Sequence, residues 1–344
     1  MENYKKKAIR FLVNLSLKEE KDPRVAKYAP SKIRISGAED KYFPRKIGGD
    51  GGKYAPRLAS MLKALEEEAR ANVHNIMVYK DGAVVCEASA NGYGTNTFHL
   101  AHSMSKTVTG LAIGFLFDEN KIDLDKAVMD FFPEIKALDV KSKKITVRDL
   151  LAMKSGVKFA EVGAISEDCW TKAFFESELE FTPGEKFKYN SMNSYILANI
   201  VTRVTGMGLS EYLNEKLFTP LGIKNYLWEK NTEGIEKGGF GLYLSAESFL
   251  KIGVMMASSG KYNNKRIISN EFLSLMLSGN AEHDAEKGEY DYGLHVWVSR
   301  DGSEFLLNGM LGQNVWVSKK KRLHSFYELG KQRALHRKPG AFCY

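Results

Sequence analysis

Ser103-Met104-Ser105-Lys106 places a hydroxyl and an amine three residues apart at the head of an apolar stretch. If that stretch is helical, residues three apart share a face, and the Lys106 ammonium reaches the Ser103 hydroxyl. A serine hydroxyl is a weak nucleophile until a base takes its proton. A neighbouring lysine lowers that cost, or acts as the base where burial depresses its own pKa. The first turn of a helix also offers N–H groups without intrahelical partners and the positive end of the peptide dipole. Both favour an oxyanion beside Ser103. The tetrapeptide alone is weak evidence. S-x-x-K recurs at Ser60/Lys63, Ser155/Lys158, Ser248/Lys251, Ser258/Lys261 and Ser318/Lys321. The ordinary alternative at Ser103 is a helix N-cap followed by an exposed lysine.

Two further segments carry chemical potential. Pro183-Gly184-Glu185-Lys186-Phe187-Lys188-Tyr189-Asn190-Ser191 sets a tyrosine in a turn before a helix. A phenol beside a lysine cation can share or surrender its proton. The alternative is a partly buried tyrosine whose hydroxyl caps something. Leu307-Asn308-Gly309-Met310-Leu311-Gly312-Gln313 is glycine-punctuated at a strand end. Such an edge can pair with an extended substrate and supply a backbone N–H, or it is a simple turn between strands. The sequence contains no GxSxG elbow, HExxH, CxxC pair or GxGxxG. Cys86, Cys169 and Cys343 are far apart and odd in number, so neither a disulfide framework nor a structural zinc site is expected. His99, His102 and His295 are read as surface or satisfied core histidines.

The elements that must position these groups follow from periodicity. Asn75–Lys80, Asp81-Gly82 and Ala83–Glu87 read as strand, hairpin turn and strand. Val108, Leu111, Ala112 and Phe115 recur at helical spacing within 103–118. Ser191–Val204 and Leu209–Leu217 are the clearer helices of a mostly helical middle. Alternation returns in Leu294–Val298, Phe305–Leu307 and Val315–Val317. Strands flanking a helical middle predict an α+β core with a helical insertion lobe. Towards the N-terminus, Leu58, Met61, Leu62, Leu65 and Ala69 have helical spacing. Gly48–Lys53 reads as a glycine-rich joint, not a P-loop, because Ile47 and Tyr54 break that pattern.

The 344 residues, 44% hydrophobic and 27% charged, exclude disordered and collagen-like classes. Lysines 5–7 precede an apolar run, but Arg10 and Asn14 interrupt it and no A-x-A site follows. The reading is an amphipathic helix, with the cytoplasm as the expected compartment. No run of about 18 apolar residues exists, so no membrane span is expected.

On Ser103–Lys106, on Lys121-Ile122-Asp123-Leu124-Asp125 and above all on Ile145-Thr146-Val147-Arg148-Asp149-Leu150-Leu151-Ala152-Met153-Lys154-Ser155-Gly156, the chain resembles the serine beta-lactamase-related hydrolases. These are class C-type beta-lactamases, D-alanyl-D-alanine carboxypeptidases, and related esterases and amidases including the nylon-oligomer hydrolases. The second segment resembles the family's G-K-L-x-L-D turn, and the third its I-T-I-R-x-L-L-x-M-x-S-G stretch, in which Ser155 is structural. Tyr189-Asn190-Ser191 takes the place of Y-x-N. Leu307-Asn308-Gly309 takes the place of K-T-G or H-x-G and keeps only the glycine. The missing cation favours an esterase or amidase over an efficient beta-lactamase.

The resemblance implies a beta-lactamase/transpeptidase-like fold. An antiparallel sheet is flanked by helices, a mostly helical lobe is added, and the active site lies between them. It implies that Ser103 attacks an ester or amide carbonyl while Lys106 and Tyr189 manage the proton. Backbone N–H groups of Ser103 and Met310 form the oxyanion hole, and Gly309, Asn308 and Ser191 contribute to substrate binding. Water then hydrolyses the acyl-enzyme with Tyr189 as base. No metal or organic cofactor is required. The expected partner is a small-molecule ester, amide or peptide, possible beta-lactams and D-amino-acid peptides included, with no nucleic acid and no membrane.

The resemblance divides the chain into a charged segment 1–52, a hydrolase domain 53–317 and a basic tail 318–344. The net charge is +8, and residues 319–344 hold eight Lys or Arg against Glu328 alone. No alternating apolar strand is evident there, so the sheet is expected to lack a strand and its covering helix, leaving an exposed edge. Two origins stay open, a changed reading frame near Ser318 or a genuine basic extension. The alternative function is a catalytically impaired or truncated relative that acts as a binding protein. An exported carboxypeptidase is disfavoured by the absent signal. Nucleic-acid binding through the tail lacks interleaved aromatics.

Overall fold

Asp81 and Gly82 both have positive φ, 48° and 89°, as the tight turn of a right-twisted hairpin requires. They join β1 (Val73–Lys80) to β2 (Ala83–Ser89), the strands expected from alternation. The protein is described here from a computed structural model. It covers residues 42–46, 73–89 and 97–329 except 136–139, 165–166, 280–289, 311 and 321–322, with isolated positions at 56, 59, 60, 63, 93 and 94. The amphipathic N-terminal helix, the Gly48–Lys53 joint, most of the helix around Leu58–Ala69 and residues 330–344 fall outside the described residues.

Seven strands form one antiparallel sheet. To β1 and β2 are added β8 (Tyr290–Tyr292), β9 (Trp297–Ser299), β10 (Glu304–Asn308), β11 (Asn314–Ser318) and β12 (Leu323–Leu329). The order across the sheet is β2-β1-β12-β11-β10-β9-β8. β12 corrects the expectation of a missing strand. It pairs with β1 (Met77 opposite Phe326) on one side and with β11 (Val315 opposite Phe326) on the other. The sheet is therefore continuous where an exposed edge was expected. Both backbone edges of β12 are satisfied by neighbours, which a sequence interrupted by His324, Ser325 and Glu328 does not advertise. The Leu294–Val298 strand is also shorter than expected. His295 has φ 63° and its N–H turns to Leu151 O, so β9 begins only at Trp297.

A smaller sheet carries β3 (Phe98–Leu100), β4 (Leu227–Trp228) and β5 (Leu242–Ser245) in the order β3-β5-β4. β6 (Lys261–Tyr262) and β7 (Lys265–Arg266) make a separate hairpin. The helix α1 (Met104–Asp118) is buried from Met104 to Leu116, which its apolar circumference demands. The lobe contains α2 (Val147–Leu151), α3 (Glu161–Ala164), α4 (Trp170–Phe175), α5 (Ser191–Thr205) and α6 (Leu209–Leu213), which runs into one π turn over Asn214–Phe218. Thr146 and Asp149 form a reciprocal capping box at the start of α2. α7 (Ala246–Ala257) lies against β1, β11 and β12, and α8 (Asn270–Met276) against α1. Gly253 is what lets α7 approach, since a Cβ there would stand 2.7 Å from Val315 Cγ1. α1 also packs against α5, so it is the wall between sheet and lobe, and its N-terminus faces both. No helix of the described residues is long and apolar enough to cross a membrane.

Candidate active site

Ser103 is the N-cap of α1 but makes no side-chain capping bond. Its Oγ instead accepts from Lys106 Nζ at 3.0 Å. Lys106 is 1% exposed, and its Nζ also donates to Gly239 O at 2.8 Å. Both halves of the ordinary reading, a capping serine and a solvated lysine, therefore fail here. The hydroxyl is presented by a buried amine rather than spent on the helix end. His102, one residue earlier, is left-handed (φ 44°), an uncommon state for a residue with a Cβ. That turn feeds the chain from β3 into α1 and sets Ser103 at the junction.

Tyr189 is held on both sides. Lys188 N–H donates to Met153 O at 2.8 Å. Asn190 Nδ2 donates to Val157 O at 3.0 Å and Phe159 O at 2.8 Å, and Asn190 Oδ1 accepts from Met192 N to cap α5. The Tyr189 hydroxyl is hydrogen-bonded to Ser103. Lys106 Nζ lies 4.8 Å from the centre of its ring. The residue as a whole is 38% exposed. Burial pushes the phenol well above its ordinary pKa and outweighs the opposing pull of the Ser103 hydrogen bond; Glu161 adds to the rise. The shift is away from the tyrosinate that a neighbouring lysine suggests. Behind it, Trp297 stacks at 6.3 Å and 11°, and Tyr292 meets it edge-on at 5.9 Å.

The third expected segment is also at the nucleophile. A Cβ on Gly309 would stand 2.7 Å from Ala101 O, two residues before Ser103. The end of β10 thus lies directly against the chain entering α1. Gly309 N–H donates to Gln313 O at 2.7 Å, closing the turn. Met310 is 64% exposed. Asn308 Nδ2 donates to Asn314 Oδ1 across the hairpin at 2.7 Å, so part of its amide is engaged within the turn. Ser191 opens α5 and is 1% exposed, lying beneath Gly239. Ser103, Lys106 and Tyr189 are thus brought together directly and Gly309 lies against the chain entering Ser103, while Met310 follows it as an exposed residue, Asn308 is tied into the hairpin and Ser191 is buried at the head of α5.

Reading the sequence missed Gly238 and Gly239. A Cβ on Gly238 would be 2.3 Å from Ser194 O, and one on Gly239 would be 2.7 Å from Ser191 O. Only a bare backbone fits there, and its carbonyls serve α1: Thr109 Oγ1 donates to Gly238 O at 2.8 Å and Lys106 to Gly239 O. The glycine doublet was the available signal for such a close approach. His99 and His295 are buried and His102 is half-buried. His295 Nδ1–H donates to Leu151 O at 2.8 Å, which leaves Nε2 to accept from Ser194 Oγ at 2.7 Å. Burial pushes His99 and His295 down to about 3 and His102 to about 4. Ser155 donates to Asn193 Oδ1 at 2.7 Å inside the lobe, a structural role. Cys86 is buried and Cys169 exposed, and both are free thiols; Cys343 lies outside the described residues. Among the described residues no three His, Cys, Asp or Glu side chains converge as a metal site.

Known proteins share this arrangement of sheet, lobe and central helix. The chain is 25% identical over 299 residues to the 6-aminohexanoate-dimer hydrolase of Paenarthrobacter ureafaciens, covering 76% of this chain and 73% of that one. It is 30% identical over 174 residues to protein flp of Staphylococcus aureus strain MW2, spanning 44% of this chain and 34% of that protein. A Bacillus anthracis protein assigned as a 6-aminohexanoate-dimer hydrolase superposes with TM-score 0.71 at 21% identity, over 90% of this chain and 86% of that one. An octameric penicillin-binding protein homologue from Pyrococcus abyssi gives 0.68 at 20% identity, over 84% and 75%. The Beta-lactamase family model matches residues 58–327, ten residues beyond the sequence resemblance and into β12, and the chain belongs to that family of hydrolases.

Proposed function

We propose that the protein is a serine hydrolase that cleaves a small ester or amide through an acyl-enzyme on Ser103. The observation that carries this is the Ser103–Lys106 contact at 3.0 Å, with the lysine buried and the Tyr189 hydroxyl on the same serine. As a free amine, Lys106 keeps one N–H on Gly239 O and turns its lone pair to the Ser103 proton. Ser103 Oγ then forms a bond to the carbonyl carbon as its proton passes to Lys106. The developing oxyanion lies at the N-terminus of α1, where the Ser103 N–H and the Met310 N–H are the candidate donors. Tyr189, as a phenol, gives its proton to the leaving oxygen or nitrogen as that bond breaks, and Lys106 restores it. In the second half, water attacks the acyl carbon, its proton passes to Lys106, and Ser103 Oγ leaves with a proton.

The residue types at the end of β10 support an esterase or amidase. By the resemblance, Leu307 stands where related hydrolases carry a cation, and it is fully buried; Asn308, next to it, is tied to Asn314. A substrate needing a cation for its carboxylate is thereby disfavoured. The relative named for a 6-aminohexanoate dimer makes a linear amide a sensible member of the substrate panel. The test exposes wild type and Ser103→Ala to a fluorophosphonate probe, a p-nitrophenyl ester series and linear amides. Serine-dependent labelling with turnover is expected. A folded wild type that is neither labelled nor active overturns the proposal and favours a binding protein.

A further inference from the structure

We propose that the largely buried Lys237–Glu229 pair, with Tyr243, positions the Ser103–Lys106 dyad through the Gly239 carbonyl; this rests on the hydrolase reading above. Lys106 Nζ is oriented by Gly239 O at 2.8 Å, so whatever fixes that carbonyl fixes the amine. Gly239 N–H donates to Lys237 O at 2.6 Å. Lys237 is doubly tied to Glu229, by its N–H to Glu229 O at 3.0 Å and by Nζ to Glu229 Oε2 at 2.7 Å. Their side chains are only 6% and 17% exposed. The other carboxylate oxygen, Glu229 Oε1, accepts from Tyr243 OH at 2.9 Å.

Tyr243 lies on β5, four residues past Gly239, and pairs with Leu227 of β4 on one side. On the other it pairs with Leu100 across β3 and β5, and Ala101 N–H donates to the adjacent Leu242 O at 2.7 Å. Ala101 leads into the left-handed His102 and then Ser103. One carboxylate thus ties Lys237, which holds the acceptor for Lys106, to the strand β5 on which the chain entering the nucleophile is paired. Glu229 also lies within electrostatic reach of His102, raising its pKa against the pull of burial and of Lys106. A buried ion pair is weak evidence of added stability, because desolvating two charges offsets most of their attraction. A largely buried pair that closes the segment carrying Gly239 onto β5, beside a reactive site, is better explained by the geometry it holds.

The experiment measures kcat and KM on the best p-nitrophenyl ester, together with the fluorophosphonate labelling rate and a thermal melt. The variants are Lys237→Met, Glu229→Gln and Tyr243→Phe. Arg45→Met is the control, since Arg45 pairs with the buried Glu247 and is not linked to Ser103. Displacing the amine by a fraction of an ångström should lower kcat and the labelling rate about tenfold or more in Lys237→Met, with KM held within about twofold. Tyr243→Phe removes one oxygen and keeps the core ring; kcat there should fall about threefold. Equal kcat losses in Lys237→Met and Arg45→Met at equal loss of melting temperature overturn the inference, as does a rise in KM alone. If Lys237→Met does not fold, an unchanged kcat in Tyr243→Phe overturns it. A wild type without turnover or labelling removes the hydrolase reading and this inference together. An active wild type with insensitive variants removes the inference alone.

Discussion

Gly309→Ala places a methyl group between the end of β10 and the chain entering α1. The new Cβ would stand 2.7 Å from Ala101 O and from Gln313 Oε1, where ordinary contact begins at 3.4 Å. The Gln313 end can swing aside. Ala101 O cannot, because it already accepts from Met104 N–H at 3.0 Å in the first turn of α1. About 0.7 Å must therefore be made up by moving the 309–313 turn away from the nucleophile. A misplacement of this order at a reacting centre costs up to about 10²-fold in rate, roughly 2.7 kcal/mol of barrier. The overpacking itself costs about 1–3 kcal/mol of stability. The assay is kcat on a p-nitrophenyl ester beside a melt, for Gly309→Ala and for Gly302→Ala. Gly302 lies in the turn at the far end of the same strand, with φ 66° and open space around its Cβ position. Gly302→Ala should lose stability and keep kcat. Wild-type kcat in Gly309→Ala, or a loss no greater than in Gly302→Ala, would refute the placement of this turn at the nucleophile.

Tyr189→Phe keeps the contacts with Trp297 and Tyr292 and removes the hydroxyl on Ser103, so kcat should fall about 10²–10⁴-fold with the melt nearly unchanged. A rise in KM with kcat intact, in the same steady-state assay, would contradict the proton-donor role. Stability should fall in acid. His99 and His295 are held near 3 and His102 near 4 when folded, against about 6.5 unfolded, so the unfolded chain binds more protons between those values. The stabilisation is complete above about 6.5 and is lost as pH falls towards 3 to 4, by up to about 1.4 kcal/mol per unit for each histidine. Urea midpoints at pH 7, 5.5 and 4.5 measure this, and a flat series speaks against neutral buried imidazoles. Arg45→Met leaves the Glu247 carboxylate, whose side chain is 1% exposed, with the Phe43 N–H but without its cation. It should cost about 3 kcal/mol in a denaturant titration with kcat unaltered.

Legibility of the sequence varied with the range of the interaction. The β1–β2 hairpin was readable because Asp81-Gly82 states its own turn. α1 and α5 were readable because their apolar residues recur at helical spacing. Ser103 and Lys106 were readable as a pair because three residues of helix are enough to bring them together. β12 was not. A central strand is specified by the two neighbours that pair with it, and these come from positions 73–80 and 314–318. Gly239 was not either, since its contact with Lys106 spans 133 positions.

By itself, then, the sequence determined the local pieces: the hairpin, the helix that carries the nucleophile, the serine–lysine spacing and the segments resembling one family. The tertiary structure decided how the groups behave. It buried Lys106, withdrew Ser103 from capping and moved the Tyr189 phenol further from ionisation. It also turned His295 into a fixed strut and set β12 inside the sheet, between β1 and β11. The physical reason is that periodicity and turn chemistry are encoded within a few residues. Desolvation, backbone pairing and carbonyl acceptors depend on chain segments that meet only when the whole domain has closed.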